Sequence, residues 1–148
     1  MKTIGVTVVK TRFLILAFGL IAAALGAQAQ AQVVVIANPG FKAAGVSRTD
    51  LRDVFTGTAS SLKDGSRVTP VLLKSGAATD SFLSLYVGKS DSAFRASWRS
   101  LLFSGQGVMP RTLDSEAAMV EYVAHTPGAI GYIAKSTPHE GVKTLSVR

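Results

Sequence analysis

The sequence contains no cysteine among its 148 residues, which excludes a disulfide framework, a thiolate metal site and a cysteine nucleophile. Histidine is almost as scarce, since His125 and His139 are the only two. They lack the spacing of paired metal ligands on a helix, so the sequence predicts no metal site and no cofactor. We expect His125 in the last turn of a helix, where a cation suits the helix dipole, and His139 in a loop.

The longest candidate for a membrane span in the sequence is a short apolar run near its start. The apolar run at 13–27 is shorter than the roughly 20 residues of a spanning helix. It follows a basic stretch at 2–12 and leads into the small-residue segment Ala-Gln-Ala-Gln-Ala. This order predicts a secretory signal peptide at 1–31, cleaved near Ala29 or Ala31, with a membrane anchor as the alternative. A cleaved peptide predicts a periplasmic or secreted protein without a membrane span.

Carboxylates are few: 9 Asp and Glu oppose 16 Lys and Arg, which gives a formal net charge of +7. Three of these charges belong to residues 2–12, so residues 32–148 carry 7 − 3 = +4. This excess is modest beside the basic stripes of nucleic-acid-binding proteins. Arg95 and Arg99 flank Trp98, but helical periodicity places Trp98 on the core face. We therefore predict a solvated basic face and no nucleic-acid partner.

The remaining chain alternates between short β-branched runs and amphipathic helical stretches, which predicts one α/β domain at 32–148 with βαβ units. Strands are predicted at 32–37, 68–73, 129–134 and 142–147. The first reads as a buried strand of the parallel-sheet kind, and the last as an edge strand. The residues predicted to open the four helices are Ser47, Ser75 with Gly76, Ser90 and Asp114.

Glycines and apolar spacing refine these helices. Gly57 and Gly88 are predicted to end the first two helices. Residues 104–111 are predicted to form a loop. The predicted buried stripes are Phe82, Leu85 and Tyr86 in the second helix and Phe94, Trp98, Leu101 and Leu102 in the third.

The second predicted strand is followed at once by small and hydroxyl residues that open a helix. Free N–H groups and the positive end of the helix dipole make this position a candidate oxyanion site. Gly76 lets a ligand approach the backbone, Ser75 and Thr79 add hydroxyl groups, and Lys74 or Arg111 supplies positive charge. An ordinary serine helix cap is the alternative.

Evidence for catalysis is weak. The sequence has no G-x-S-x-G motif, and the serines fit helix caps. The lone G-x-G at 105–107 lacks a third glycine and a preceding strand, so it does not indicate a dinucleotide site. We predict a non-catalytic protein and keep a serine hydrolase only as the third alternative.

Four segments resemble the phosphate-binding proteins of ABC transporters, in the same order along the chain. Residues 47–57 (SRTDLRDVFTG) resemble the S-x-x-E-L-x-x-I-F-x-G segment, and 127–132 (PGAIGY) match the P-G-A-I-G-Y signature. The strand from 68 followed by Ser75, Gly76 and Phe82 looks like the S-G-T-x-x-x-F anion loop. Residues 102–111 (LFSGQGVMPR) resemble the F-x-G-x-G-x-x-P-R stretch of short, PstS-like members.

The resemblance implies a single three-layer α/β lobe of the type II periplasmic-binding-protein fold, with a mixed sheet flanked by helices. It implies capture of phosphate or another small oxyanion at Ser75, Gly76 and Ala77. The family has threonine where Ala77 stands, and Thr79 is expected to replace that hydroxyl. An ABC permease, another envelope protein or a second copy is the implied protein partner. The alternative is an envelope interaction module whose anion site has decayed.

Overall fold

A computed structural model describes residues 32–148, so the predicted signal peptide at 1–31 lies outside the described residues. The described residues form one six-stranded sheet covered by helices. The strands are β1 (Val33–Ala37), β2 (Gly45–Val46), β3 (Thr69–Leu73), β4 (Arg111–Leu113), β5 (Ala129–Ala134) and β6 (Lys143–Val147). The helices are α1 (Arg48–Phe55), α2 (Ala77–Phe82), α3 (Asp91–Phe103) and α4 (Glu116–His125), and a π-helical segment (Leu83–Val87) continues α2. Within 32–148, none of the helices is long and apolar enough to span a membrane.

The strands lie in the order β2-β6-β1-β5-β3-β4, and the sheet is mixed as predicted. β1 runs antiparallel to both of its neighbours, whereas the pairs β2–β6, β3–β5 and β3–β4 are parallel. The carboxyl ends of β3, β4 and β5 therefore meet at one edge of the sheet, which we call the carboxyl edge. The end of β1 lies at the opposite edge, which we call the amino edge.

Two strand predictions and one loop prediction are corrected. The run at 32–37 is buried, but it is antiparallel, because a continuous apolar run indicates burial on both faces and does not give direction. The last strand is not the outermost strand of the sheet, because β6 lies between β1 and the two-residue strand β2. The predicted loop at 104–111 ends one residue early, since Arg111 begins β4.

Helices cover both faces of the sheet, which confirms the three layers. Consecutive residues of a strand point to opposite faces. On β5, Gly131 lies under Met119 of α4, so closely that a Cβ on Gly131 would be 2.5 Å from the Met119 sulfur. The next residue, Tyr132, stacks on Phe82 of α2 at 4.2 Å between ring centroids and lies 6.1 Å from Phe55 of α1. The aromatic cluster on this second face forms the centre of the core.

The helix starts follow the predicted caps with one exception. Ser47 and Ser90 accept hydrogen bonds from the backbone N–H groups three residues later, at 3.0 and 3.3 Å, as predicted. The cap of α4 is Ser115, which accepts from a backbone N–H at 3.1 Å, and not Asp114. The carboxylate of Asp114 is instead paired with Lys74.

The predicted apolar stripes are only partly correct, because the second helix changes its winding. The π-helical segment has wider turns than an α-helix, so the 3.6-residue period no longer identifies its inner face. Leu83 and Val87 are buried there, whereas the predicted core residue Leu85 is 41% exposed. In α3, Phe94 and Trp98 are buried as predicted, but Leu102 is exposed.

Replacing Gly57 with alanine is expected to cost at least about 1 kcal/mol more unfolding free energy than the same change at Gly65. Both glycines have positive φ, +80° and +84°, so both variants force alanine into a backbone conformation that it rarely adopts. Only at Gly57 does the new Cβ clash, 2.7 Å from the Trp98 ring. Urea unfolding of the two variants measures the difference, and equal losses would contradict close packing at the end of α1.

Candidate functional site

The loops at the carboxyl edge contain the predicted site. In open α/β sheets, ligands bind in the crevice outside the carboxyl ends of the strands. Residues 74–76 follow β3 at this edge, and Asp114 follows β4. Ser75, Gly76 and Ala77 are all exposed.

The backbone of this loop presents unused donors. Gly76 is the N-cap of α2, with φ +132° and no side-chain cap hydrogen bond. The first intrahelical bond runs from the N–H of Asp80 to the Gly76 carbonyl oxygen at 3.0 Å. The N–H groups that precede it, beginning with Ala77, therefore have no acceptor inside the helix. A Cβ on Gly76 would meet nothing within 4 Å, so the loop is open to an approaching ligand.

Thr79 does not share this exposure. It is 3% exposed, and its hydroxyl shares a 3.0 Å hydrogen bond with the hydroxyl of Tyr132 in the core. The expectation that Thr79 replaces the hydroxyl missing at Ala77 is therefore corrected. The exposed hydroxyl group of the loop belongs to Ser75, and Ala77 contributes only its backbone.

The two predicted cations lie in different places. Lys74 is at the carboxyl edge, where its ammonium group forms an exposed ion pair with Asp114. Arg111 pairs with Val71 at the start of β4, and its guanidinium carbon lies 4.9 Å from the centre of the Tyr122 ring on α4. Arg111 is thus held on the α4 face, and the structure does not bring it to the loop after β3.

Arg95 contacts the loop, a role that the sequence does not predict. Its Nε donates to both carboxylate oxygens of Asp91 at 3.0 and 3.1 Å, and its terminal nitrogen donates to the carbonyl oxygen of Lys74. The first turn of α3 is thereby tied to the loop after β3. The spacing of Asp91 and Arg95 on a helix is visible in the sequence, but the contact with Lys74 is not.

Tyr132 supports the loop from below. Its hydroxyl accepts a 3.1 Å hydrogen bond from the N–H of Leu73, the last residue of β3. Burial raises the pKa of Tyr132, and the hydrogen bonds with Thr79 and Leu73 offset this only in part. The hydroxyl therefore stays protonated at neutral pH. The P-G-A-I-G-Y match contains this tyrosine, but the motif alone does not show what its hydroxyl contacts.

Two other surface depressions are lined by cationic side chains. Lys135 and Ser136 follow β5 and line a shallow depression of about 380 Å³ at the carboxyl edge. At the amino edge, Lys42 and Arg67 line a depression of about 540 Å³ together with Asp64. Hydrogen bonds from Ser66 and the nearby Lys42 charge lower the pKa of Asp64, so this carboxylate opposes an anion there.

The histidines lie where the sequence predicts. His125 is the last residue of α4, and His139 is in a loop. Among residues 32–148, no three His, Asp or Glu side chains group together as metal ligands do.

No protein-family model and no curated protein matches the chain. Several solved structures, in contrast, are similar to the chain. An ABC-type phosphate transport receptor from Vibrio cholerae is similar at 18% identity with a TM-score of 0.60, over 79% of this chain and 46% of the receptor. PstS from Borrelia burgdorferi is similar at 17% identity with a TM-score of 0.58, over 80% of this chain and 47% of PstS.

A third similar structure contains phosphate. It is a phosphate ABC transporter substrate-binding protein from Clostridium perfringens, with a TM-score of 0.62 and 18% identity, over 79% of this chain and 45% of that one. The chain thus spans about half the length of these solved proteins. At this level of identity the likeness shows the fold, and the predicted PstS-like fold is confirmed.

Proposed function

We propose that this chain is a non-catalytic binding protein for a small oxyanion, with phosphate as the first candidate, at Lys74, Ser75, Gly76 and Ala77. One observation carries the proposal: an exposed helix start with unused N–H donors lies at the carboxyl end of β3, in a fold shared with phosphate transport receptors. Binding there needs no covalent step.

The anion is held by three kinds of group. Backbone N–H groups at the start of α2 and the hydroxyl of Ser75 donate hydrogen bonds to its oxygens. The ammonium group of Lys74 neutralises its charge. Lys74 must then turn from Asp114 toward the ligand, and this exchange costs little, since an exposed ion pair contributes at most about 1 kcal/mol.

The cellular setting forms part of the proposal. The signal-peptide pattern at 1–31 supports a periplasmic or secreted protein. The similar proteins are transport receptors and substrate-binding proteins of ABC transporters, which supports an ABC permease as partner. The net charge of +4 on residues 32–148 suits an anionic ligand.

Calorimetric titration with phosphate is expected to give saturable heat, which Ser75→Ala weakens about tenfold because a hydrogen bond to a charged ligand is lost. Lys74→Gln should weaken binding as well and reduce its salt dependence. The matched control is Arg67→Gln, which removes one exposed cation at the amino edge. Sulfate in a parallel titration tests the choice of anion.

Two results would contradict this site. Folded protein that gives no heat at millimolar phosphate and sulfate excludes oxyanion capture. Saturable heat that disappears in Arg67→Gln, but persists in Ser75→Ala and Lys74→Gln, moves the site to the amino edge.

A second function, an envelope interaction module without anion binding, is favoured by the side chains of the loop. Ala77 has no hydroxyl, Thr79 is buried, and the carboxylate of Asp114 lies beside Lys74. Light scattering and pull-down from envelope extract test this alternative. A monomer that binds phosphate and no protein contradicts it.

A further inference from the structure

The end of α3 and the connection to β4 expose several large apolar side chains together. Phe103 is 92% exposed and Val108 is 88% exposed, and Leu102 in the last turn of α3 and Met109 in the connection are exposed as well. We call these four residues the apolar tip. Large exposed apolar side chains that lie close together along the chain favour an interaction site.

Cations without a carboxylate partner lie near the apolar tip in sequence. The stretch 92–113 contains three arginines and no carboxylate, and Arg95 is the one that pairs with Asp91 outside it. Arg99 lies one helical turn before Phe103 on the same face of α3. Arg111 directly follows the connection and is exposed. Among residues 32–148, no carboxylate lies within ion-pair distance of Arg99 or Arg111.

The surface beside the tip has the same charge excess. A depression of about 520 Å³ next to Leu101 of α3 is lined by Arg52, Asp53 and Lys89. Arg52 pairs with Asp53 at 3.6 Å, so Lys89 supplies the net positive charge there. The whole region is therefore apolar at its tip and cationic around it.

This combination disfavours a second copy as the occupant. A symmetric contact brings the same surface patch of two copies together, so Arg99 of each copy would lie against a patch whose stretch 92–113 offers no carboxylate. An occupant with negative charge and an apolar interior matches both features.

We infer that the apolar tip docks on an anionic phospholipid surface. Phe103 and Val108 enter the boundary between headgroups and acyl chains, and Arg99 contacts lipid phosphates. Arg111 joins these contacts when it turns from the Tyr122 ring toward the bilayer. Protruding side chains suit this role, since a bilayer needs no shaped pocket to receive them. The connection 104–110 precedes β4 and so lies at the amino edge. Docking therefore leaves the carboxyl edge free, and the inference stands independently of oxyanion binding.

The absence of cysteine allows a local test on the full chain. A polarity-sensitive fluorophore is attached at Val108→Cys, or at Leu85→Cys as the matched control on the π-helical segment. Both labelled variants contain residues 1–31, so a shift caused by vesicle binding of that segment alone would not be confined to position 108. The probes are vesicles of phosphatidylglycerol with phosphatidylcholine and vesicles of phosphatidylcholine alone.

A blue shift is expected at position 108 with anionic vesicles only, with no shift at position 85. In the Val108→Cys background, Phe103→Ser should weaken binding about tenfold, by the loss of one buried phenyl ring. Arg99→Gln should weaken it about fivefold, and added salt should weaken it further.

Each other outcome overturns the inference. Equal shifts with both vesicle types, or insensitivity to Arg99→Gln and salt, would exclude anionic lipid recognition. No shift at position 108 excludes membrane docking. Self-association that Phe103→Ser abolishes, without vesicle binding, identifies a second copy as the occupant.

Discussion

Replacing Phe82 with alanine is expected to lower the free energy of unfolding by about 3–5 kcal/mol. The Phe82 ring is fully buried, 4.2 Å from the centre of the Tyr132 ring and 4.7 Å from that of Phe55. Its removal leaves a cavity between the sheet and two helices, and neither aromatic neighbour can close it without breaking its own contacts. Urea unfolding with a two-state fit measures the loss.

Phe103→Ala is the matched control, because it removes the same ring from a position that is 92% exposed. We expect its unfolding free energy to stay within about 0.5 kcal/mol of the unmodified protein. A loss under about 1 kcal/mol for Phe82→Ala would show that the cluster of Phe55, Phe82 and Tyr132 does not form the centre of the core.

Local features of this fold could be predicted from the sequence. The caps Ser47 and Ser90 are predicted correctly, because a cap hydrogen bond joins residues only three positions apart. Gly57 and Gly88 mark helix ends correctly, because positive φ is a property of a single residue. Asp114 shows the limit: two capping residues stand side by side, and the contact of Asp114 with Lys74 decides between them.

Features that depend on distant residues could not be predicted. The direction of β1 is set by pairing with β5 and β6, about a hundred residues later, and its own apolar run is equally compatible with both directions. The 3.6-residue period wrongly predicts that Leu85 is buried, because Leu85 lies in the π-helical segment. Packing of the segment against α1, rather than local spacing, determines which of its side chains are buried.

The same distinction applies to the candidate site. The loop at 74–77 follows from a strand, small residues and a helix start, all local in sequence. The roles of Thr79 and Arg111 do not, since each is fixed by an aromatic partner elsewhere in the chain, Tyr132 and Tyr122. The proposed ligand is therefore held chiefly by backbone N–H groups, whose positions depend on how β3 and α2 are anchored.

The anchor is testable: Tyr132→Phe is expected to lower the free energy of unfolding by about 1–3 kcal/mol at neutral pH. The variant keeps the ring stacked on Phe82, but the N–H of Leu73 loses its 3.1 Å acceptor and the hydroxyl of Thr79 loses its partner. Both groups are buried, so water does not readily replace the lost hydroxyl.

The matched control is Tyr122→Phe. Tyr122 is partly exposed on α4, and its contact with the Arg111 guanidinium group is made by the ring, which Tyr122→Phe keeps. We expect this change to alter stability by no more than about 0.5 kcal/mol. Equal losses in the two variants would exclude a special role for the Tyr132 hydroxyl.

Alkaline pH provides a second readout for Tyr132. Its pKa in the folded protein is raised above the ordinary value of 10.0, chiefly by burial. A raised pKa means that the folded state keeps its proton longer than the unfolded state. The stabilisation is complete below pH 10 and is lost as pH rises from there through the folded-state pKa. Tyr132→Phe lacks this contribution, so its stability should fall less steeply above pH 10 than that of the unmodified protein or of Tyr122→Phe.

The same variant connects the core to the proposed ligand site. Leu73 immediately precedes Lys74 and Ser75, so freeing its N–H loosens the end of β3 beneath the loop. If backbone donors hold the anion, Tyr132→Phe should weaken phosphate binding although Tyr132 is too buried to touch the ligand. Phosphate affinity that is unchanged in Tyr132→Phe but reduced in Ser75→Ala would show that the side chain of Ser75, rather than the backbone anchored by Tyr132, determines capture.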